Sequence, residues 1–143
     1  LARLLATANF PGTLRIMIDH VSVPVRDLAA AASFYARVLA PLGYAKLVER
    51  PGTVGFGKRY PELWLNARPG LRDIPADSGA HVALRAASEE AVRAFHAAAL
   101  EIGGQSDGEP GPRPAAMTSY YGAFIRDLDG NKIEAMSFPV AQA

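Results

Sequence analysis

The chain has 143 residues and a mass of 15.2 kDa, within the roughly 100 to 200 residues typical of one domain, which excludes a multidomain assembly. Half of the residues are apolar, 20% are charged and the formal net charge is +1, so a packed core is available and no basic excess points to nucleic acid. With no Cys, there is no disulfide framework, thiolate zinc site or cysteine nucleophile. A metal would have to use carboxylates and the histidines His20, His81 and His96.

In chain order, residues 1–16 read as an N-terminal extension, because Thr7, Asn9, Pro11 and Gly12 interrupt the opening and leave no apolar core for an export signal. No apolar run reaches the roughly 18 residues of a membrane span. A soluble, cytoplasmic protein without a membrane partner is therefore expected. Residues 17–25, MIDHVSVPV, have the β-branched and apolar content of a strand. A helix follows: Asp27 is a good N-cap, and Leu28, Ala31, Phe34, Tyr35, Val38 and Leu39 share one face before Pro41 and Gly43 end it. Strands are predicted at 44–49, 53–58 and 62–66, separated by Pro51-Gly52 and Tyr60-Pro61.

Beyond the Gly- and Pro-punctuated linker the order restarts. His81 to Leu84 reads as a strand, Ser88 as an N-cap, and Val92, Phe95, Ala99 and Leu100 as the buried face of a second helix ending near Gly103-Gly104. His20 and His81, Asp27 and Ser88, Phe34 and Phe95, and Gly43 and Gly104 are all 61 residues apart. This is an internal repeat of one βαβββ unit, with modules at 17–67 and 79–138 and a tail at 139–143. In the second copy QSDGEPGPRPAAMTS reads as an exposed flap, followed by strands at 121–126 and 132–138 joined by the hairpin signal Asp127-Leu128-Asp129-Gly130-Asn131. Counting the flap as an insertion pairs Glu62 with Glu134, 72 residues apart.

The repeat thus reduces the charged residues to two related pairs, one His on a first strand and one Glu on a last strand in each copy. If the copies meet at one interface, His20, His81, Glu62 and Glu134 converge. Two imidazoles with one or two carboxylates suit Zn, Ni, Mn or Fe(II) with open positions for substrate. Glu134 lies in the apolar strand KIEAMSF, where an unpaired carboxylate would be expensive, so it needs a cation or solvent. Glu62 after Pro61 also reads as an exposed edge charge. His96 reads as a core-edge residue, and Arg113 in the flap as a solvated charge that could also bind an anionic substrate. Trp64, Phe56, Tyr120, Tyr121 and Phe124 are candidate pocket walls. No phosphate-binding loop, nucleophile elbow or kinase motif is present.

MIDHVSVPVRDLAAAASFYARVLAPLGY, GAHVALRAASEEAVRAFHAAALEIGG and YYGAFIRDLDGNKIEAMSF resemble the vicinal oxygen chelate superfamily, which includes glyoxalase I, extradiol dioxygenases and bleomycin- and fosfomycin-resistance proteins. The resemblance implies an α+β fold of two tandem βαβββ modules forming a paired, cupped mixed sheet with a divalent metal inside. It implies His20, Glu62, His81 and Glu134 as ligands, with Glu134 or Glu62 moving a proton. His20, His81 and Glu134 match the pattern, whereas Pro61 stands where an apolar strand residue is usual. The activity implied is that of a glyoxalase-like lyase or isomerase acting on a small substrate with adjacent oxygens, in a homodimer. A drug-sequestering protein without chemistry and an extradiol-type dioxygenase are the alternatives.

Overall fold

Each module folds because a short helix lays one apolar face across a four-stranded sheet. In this computed structural model, residues 18–139 are described; the predicted extension at 1–16 and all but the first residue of the predicted tail lie outside them. The elements are β1 (Val21–Val25), α1 (Leu28–Leu39), a 3-10 turn (Ala40–Leu42), β2 (Ala45–Arg50), β3 (Thr53–Gly57) and β4 (Pro61–Ala67) in the first module. The second contains β5 (Val82–Arg85), α2 (Glu89–Glu101), β6 (Gln105–Arg113), β7 (Tyr120–Arg126) and β8 (Lys132–Ser137). The sheet orders are β1-β4-β3-β2 and β5-β8-β7-β6, with the first strand of each parallel to the last and the other pairs antiparallel. The fold is therefore α+β with two βαβββ modules, as the repeat predicts.

Helix α1 starts where Asp27 accepts the Ala30 N–H at 2.9 Å, and α2 where Ser88 accepts that of Ala91 at 3.1 Å. These bonds satisfy donors that the first helical turn leaves free. Gly43, at φ +80, closes the turn after α1 in the left-handed region that favours glycine. On α2 the buried face is Val92, Phe95, His96 and Ala99, whereas Leu100 is exposed. The sequence pattern predicts Leu100 on the buried face; the stripe at spacings of three and four passes through His96 instead.

A second correction concerns the predicted flap. Residues 105–113 form β6, paired antiparallel to β7, and only residues 114–119 are irregular. An unpaired β7 would leave a row of main-chain donors and acceptors open, and β6 supplies their partners. Pairing is possible despite Pro110 and Pro112 because the register shifts between Ser106 and Gly108 and again between Gly108 and Gly111.

The modules are joined through the β7–β8 turn. Asp127 Oδ1 accepts the N–H groups of Asp129 and Asn131 at 2.9 and 2.8 Å, and its Oδ2 accepts Tyr35 Oη–H from α1 at 2.7 Å and Asn131 Nδ2–H at 2.8 Å. Asn131 also donates to the Pro24 carbonyl at 2.9 Å, and Asp129 accepts the Arg26 N–H at 3.0 Å. One buried carboxylate thus orders the turn and ties it to the first module. The Tyr35 phenol is raised well above its usual value, first by burial and then by Asp127. The helices close beside this clamp: a Cβ on Gly104 would stand 3.0 Å from the Phe34 ring and 2.9 Å from the Ala99 oxygen.

Candidate functional site

Strand β8 turns Ile133, Ala135 and Ser137 towards α2 and buries them, so the period-two alternation directs Glu134 to the opposite, helix-free face. Its backbone neighbours in register are Ala83 on β5 and Phe124 on β7. Glu134 is only 3% exposed, and its Oε1 has no hydrogen-bond partner. His81, just before β5, brings Nε2 to 3.3 Å from Glu134 Oε2, and its ring lies 5.9 Å from the Phe124 centroid. Gly122 keeps this corner open: a Cβ there would meet the Tyr120 ring at 2.9 Å and Glu134 Oε1 at 3.1 Å. The Tyr120 phenol is raised by burial and by the Glu134 carboxylate.

The first module supplies a second cluster. His20, just before β1, holds Nδ1 2.7 Å from Asp19 Oδ1, an ordering partner that only their adjacency in sequence foreshadows. The β1–β4 register aligns Val21 with Leu63, which brings His20 and Glu62 to neighbouring strand ends. Glu62 Oε2 is 3.4 Å from the Lys58 N–H, and the nearby Tyr44 phenol is pushed up to about 12 by burial and then by the Glu62 carboxylate. His20, Glu62, Tyr44 and His81 all line one cleft of about 310 Å³. Three of the four predicted residues therefore line one cleft, and the fourth contacts His81.

They do not gather as a cluster. Among the described residues no group of three His, Cys, Asp or Glu side chains is placed to hold one ion. The strand registers give a reason. Val21 pairs with Leu63, and Val82, its repeat equivalent, pairs with Ile133. Leu63 therefore corresponds to Ile133 and Trp64 to Glu134, a separation of 70 residues rather than 72. The two buried pairs, Leu63 with Leu65 and Ile133 with Ala135, flank Trp64 and Glu134 in the same way. Pro69 and Pro139, also 70 apart, carry this register in the sequence. The carboxylates are thus not symmetry mates: Glu62 lies one strand-pair step from the place Glu134 occupies in its own module.

The remaining candidates divide between core and face. Phe56 and Tyr121 turn towards the helices, Phe56 fully buried. Trp64, Tyr120 and Phe124 lie on the helix-free faces with Glu62 and Glu134. His96 is buried and bonds Ser106 Oγ at 2.8 Å, away from both clusters. The buried carboxylate with a vacant lone pair and the adjacent imidazole are donors of the kind a divalent ion takes, and the histidine and carboxylate across the cleft are of the same kind.

Two four-stranded βαβββ sheets of this topology define the fold class, and comparison gives the family. The chain matches the Glyoxalase/Bleomycin resistance protein/Dioxygenase superfamily over residues 17–135 and belongs to it. A glyoxalase/bleomycin resistance protein from Albidiferax ferrireducens T118 is 32% identical, with a TM-score of 0.76 over 85% of this chain and 99% of that one. Glyoxalase I from Zea mays, as a point mutant, is 25% identical, with a TM-score of 0.62 over 82% of this chain and 44% of that one. A glyoxalase-related enzyme from Fulvimarina pelagi shares the fold at 19% identity, with a TM-score of 0.65 over 86% and 88% of the two chains. No curated protein matches the chain. No helix among the described residues is long and apolar enough to cross a membrane.

Proposed function

We propose that this protein is a divalent-metal-dependent enzyme of the glyoxalase-like type, acting on a small substrate that presents two adjacent oxygens. The observation that carries the reading is the Glu134 carboxylate, buried with one oxygen unpartnered and the other 3.3 Å from His81 Nε2. A buried carboxylate in this state costs several kcal/mol unless a cation meets it. His81 and Glu134, with His20 and Glu62, would hold the ion, and their donor chemistry suits Zn, Ni, Mn or Fe(II). When bound, the ion supplies a Lewis acid for negative charge developing on a substrate oxygen. Glu62 accepts or returns the substrate proton at its carboxylate, with the un-ionised Tyr44 phenol beside it excluding water from one side.

The two half-sets belong to a homodimer in this reading, each site taking His20 and Glu62 from one chain and His81 and Glu134 from the other. Metal analysis of protein purified without chelator tests it. Wild type should retain a divalent ion, and His20→Ala and Glu134→Ala should each lose it. Co-expressed, the two variants should regain about a quarter of the wild-type content, because random pairing makes half of the dimers heterodimers and each heterodimer rebuilds one of its two sites. A wild type free of metal would sink the enzyme reading, and no recovery on co-expression would sink the shared site.

A second reading has support of its own. Trp64 stands where the repeat would require a second carboxylate, and an aromatic there makes a wall for an apolar ligand rather than a ligand to a metal. A ligand-sequestering protein without chemistry would bind unchanged after treatment with chelator.

A further inference from the structure

The helix-free face of the second sheet carries more positive charge than holding one carboxylate requires. Strand registers arrange it in rows. His81, Lys132 and Arg126 form the first row, Ala83, Glu134, Phe124 and Gly108 the second, and Arg85, Met136, Gly122 and Gly111 the third; Tyr120 and Arg113 follow on β7 and β6. Four fixed cations therefore share this face with the Glu134 carboxylate.

Two of the four are matched. Lys132 and Arg126 each lie 3.0 Å from Asp107 Oδ2. Two are not. Among the described residues Arg113 gives its N–H groups only to the main-chain oxygens of Pro112 and Glu109, and its guanidinium lies 5.8 Å from the Phe124 centroid. Arg85 lies 4.4 Å over the Phe138 ring and has no carboxylate partner among the described residues. A guanidinium laid against a ring is fixed in orientation while its edge N–H groups remain available to a planar, bidentate acceptor. Gly108 and Gly111 make the room for Arg113: a Cβ on either would approach its guanidinium to 3.3 and 3.4 Å. The arrangement resembles a prepared receptor more than a solvated surface, because both arginines lie against aromatic rings of the same face, in the two rows next beyond Glu134.

We infer that this face binds the carboxylate of a small organic acid, with Arg113 as its principal anchor, Arg85 as a second, and Phe124 as the surface against which the body of the acid packs. The inference deepens the proposed function by naming the charge of the substrate, and it rests on that reading only for the assignment of Glu134 to the reaction centre. A carboxylate is favoured over a neutral ligand because it supplies the negative charge that neither guanidinium meets among the described residues, and a guanidinium can meet it with two parallel hydrogen bonds from N–H groups that the main chain leaves free.

Benzoate and benzamide, nearly identical in shape and different in charge, test this on the full chain in EDTA by titration calorimetry or two-dimensional NMR. Wild type should bind benzoate at least about tenfold more tightly than benzamide. Arg113→Gln should reduce benzoate affinity by about tenfold or more and abolish the preference over the amide, with Arg85→Gln reducing it less. Arg59→Gln, on an exposed turn of the first module, should change neither; equal thermal midpoints of the variants will show that all are folded. The inference is overturned if the acid and amide bind alike, if neither binds by about 10 mM, or if Arg113→Gln behaves as Arg59→Gln. Because chelator is present throughout, loss of the metal reading leaves these outcomes unaffected. Benzoate binding that appears only on adding Zn and ignores Arg113→Gln would overturn the arginine site while leaving the metal reading intact.

Discussion

The two modules share a topology and a pattern of buried residues, yet the strand position that carries Trp64 in the first carries Glu134 in the second. The contrast continues around them. Glu134 shares its face with His81, Lys132, Arg126 and two arginines that have no acidic partner among the described residues, whereas Trp64 covers Gly55, where a Cβ would stand 3.0 Å from its ring. Duplication preserves the face that packs on the helix, since each sheet needs the same apolar complement there. The opposite face is free to diverge, and here one copy became aromatic and the other charged. The turn before the last strand diverges as well: Asp127 centres the clamp in the second module, while the first places exposed Lys58, Arg59 and Tyr60 at that point.

Four substitutions or titrations would break or sharpen this contrast. The largest effect is expected at Asp127. Its replacement by Ala strands the Tyr35 hydroxyl, two turn N–H groups and the Asn131 amide, and should cost about 3–5 kcal/mol in chemical denaturation. Arg59→Ala, at the equivalent turn, should change stability by less than about 0.5 kcal/mol; similar losses at both would show that the modules do not differ in this respect. Next is the metal: Glu134→Gln should weaken divalent-ion binding at least about 100-fold, but Trp64→Phe by no more than about threefold, read by competition with a chromogenic chelator.

Alkali gives a third test. Tyr35 has a raised pKa in the folded state, so burial of its neutral phenol contributes stability that is fully present below its ordinary value of 10.0. That contribution declines as pH rises further, because the unfolded chain ionises first. Denaturation midpoints should therefore fall above about pH 10, and Tyr35→Phe should reduce the dependence. Smallest is Tyr44, which should ionise near pH 12 by ultraviolet titration. Glu62→Gln should lower that value only partly, since burial is the larger cause; an unchanged value would separate Glu62 from the cleft.

Much of this could be read in the sequence because duplication supplies an internal control. The 61-residue separation of His20 from His81 and of Asp27 from Ser88 located both helices, both caps and the parallel first strands. β6 was hidden since Gly108, Pro110, Gly111 and Pro112 have the composition of a loop, and only the demand of β7 for a partner makes them a strand. Register was hidden for a related reason. Period-two alternation fixes which face a residue takes, but a shift of two residues leaves the face unchanged. Glu62 therefore looked equivalent to Glu134, although the pair Pro69 and Pro139 held the true separation. Contact between His81 and Glu134 was legible from residue type and strand, whereas the separation of their partners into another cluster depends on how the modules pack.

The β6 edge has a consequence for how copies of this protein can meet. An open strand edge invites another strand, but Pro110 and Pro112 lack amide hydrogens and the register shifts there break the even spacing that an incoming strand would need. At the outer edge of the first sheet, β2 has its own shift between Lys46 and Val48. Both outer margins thus discourage fibre-like growth. The margins at β1 and β5 are short, five and four residues, and in β1 Pro24 has no amide hydrogen and gives its carbonyl to Asn131, so little regular edge is left there for a further strand.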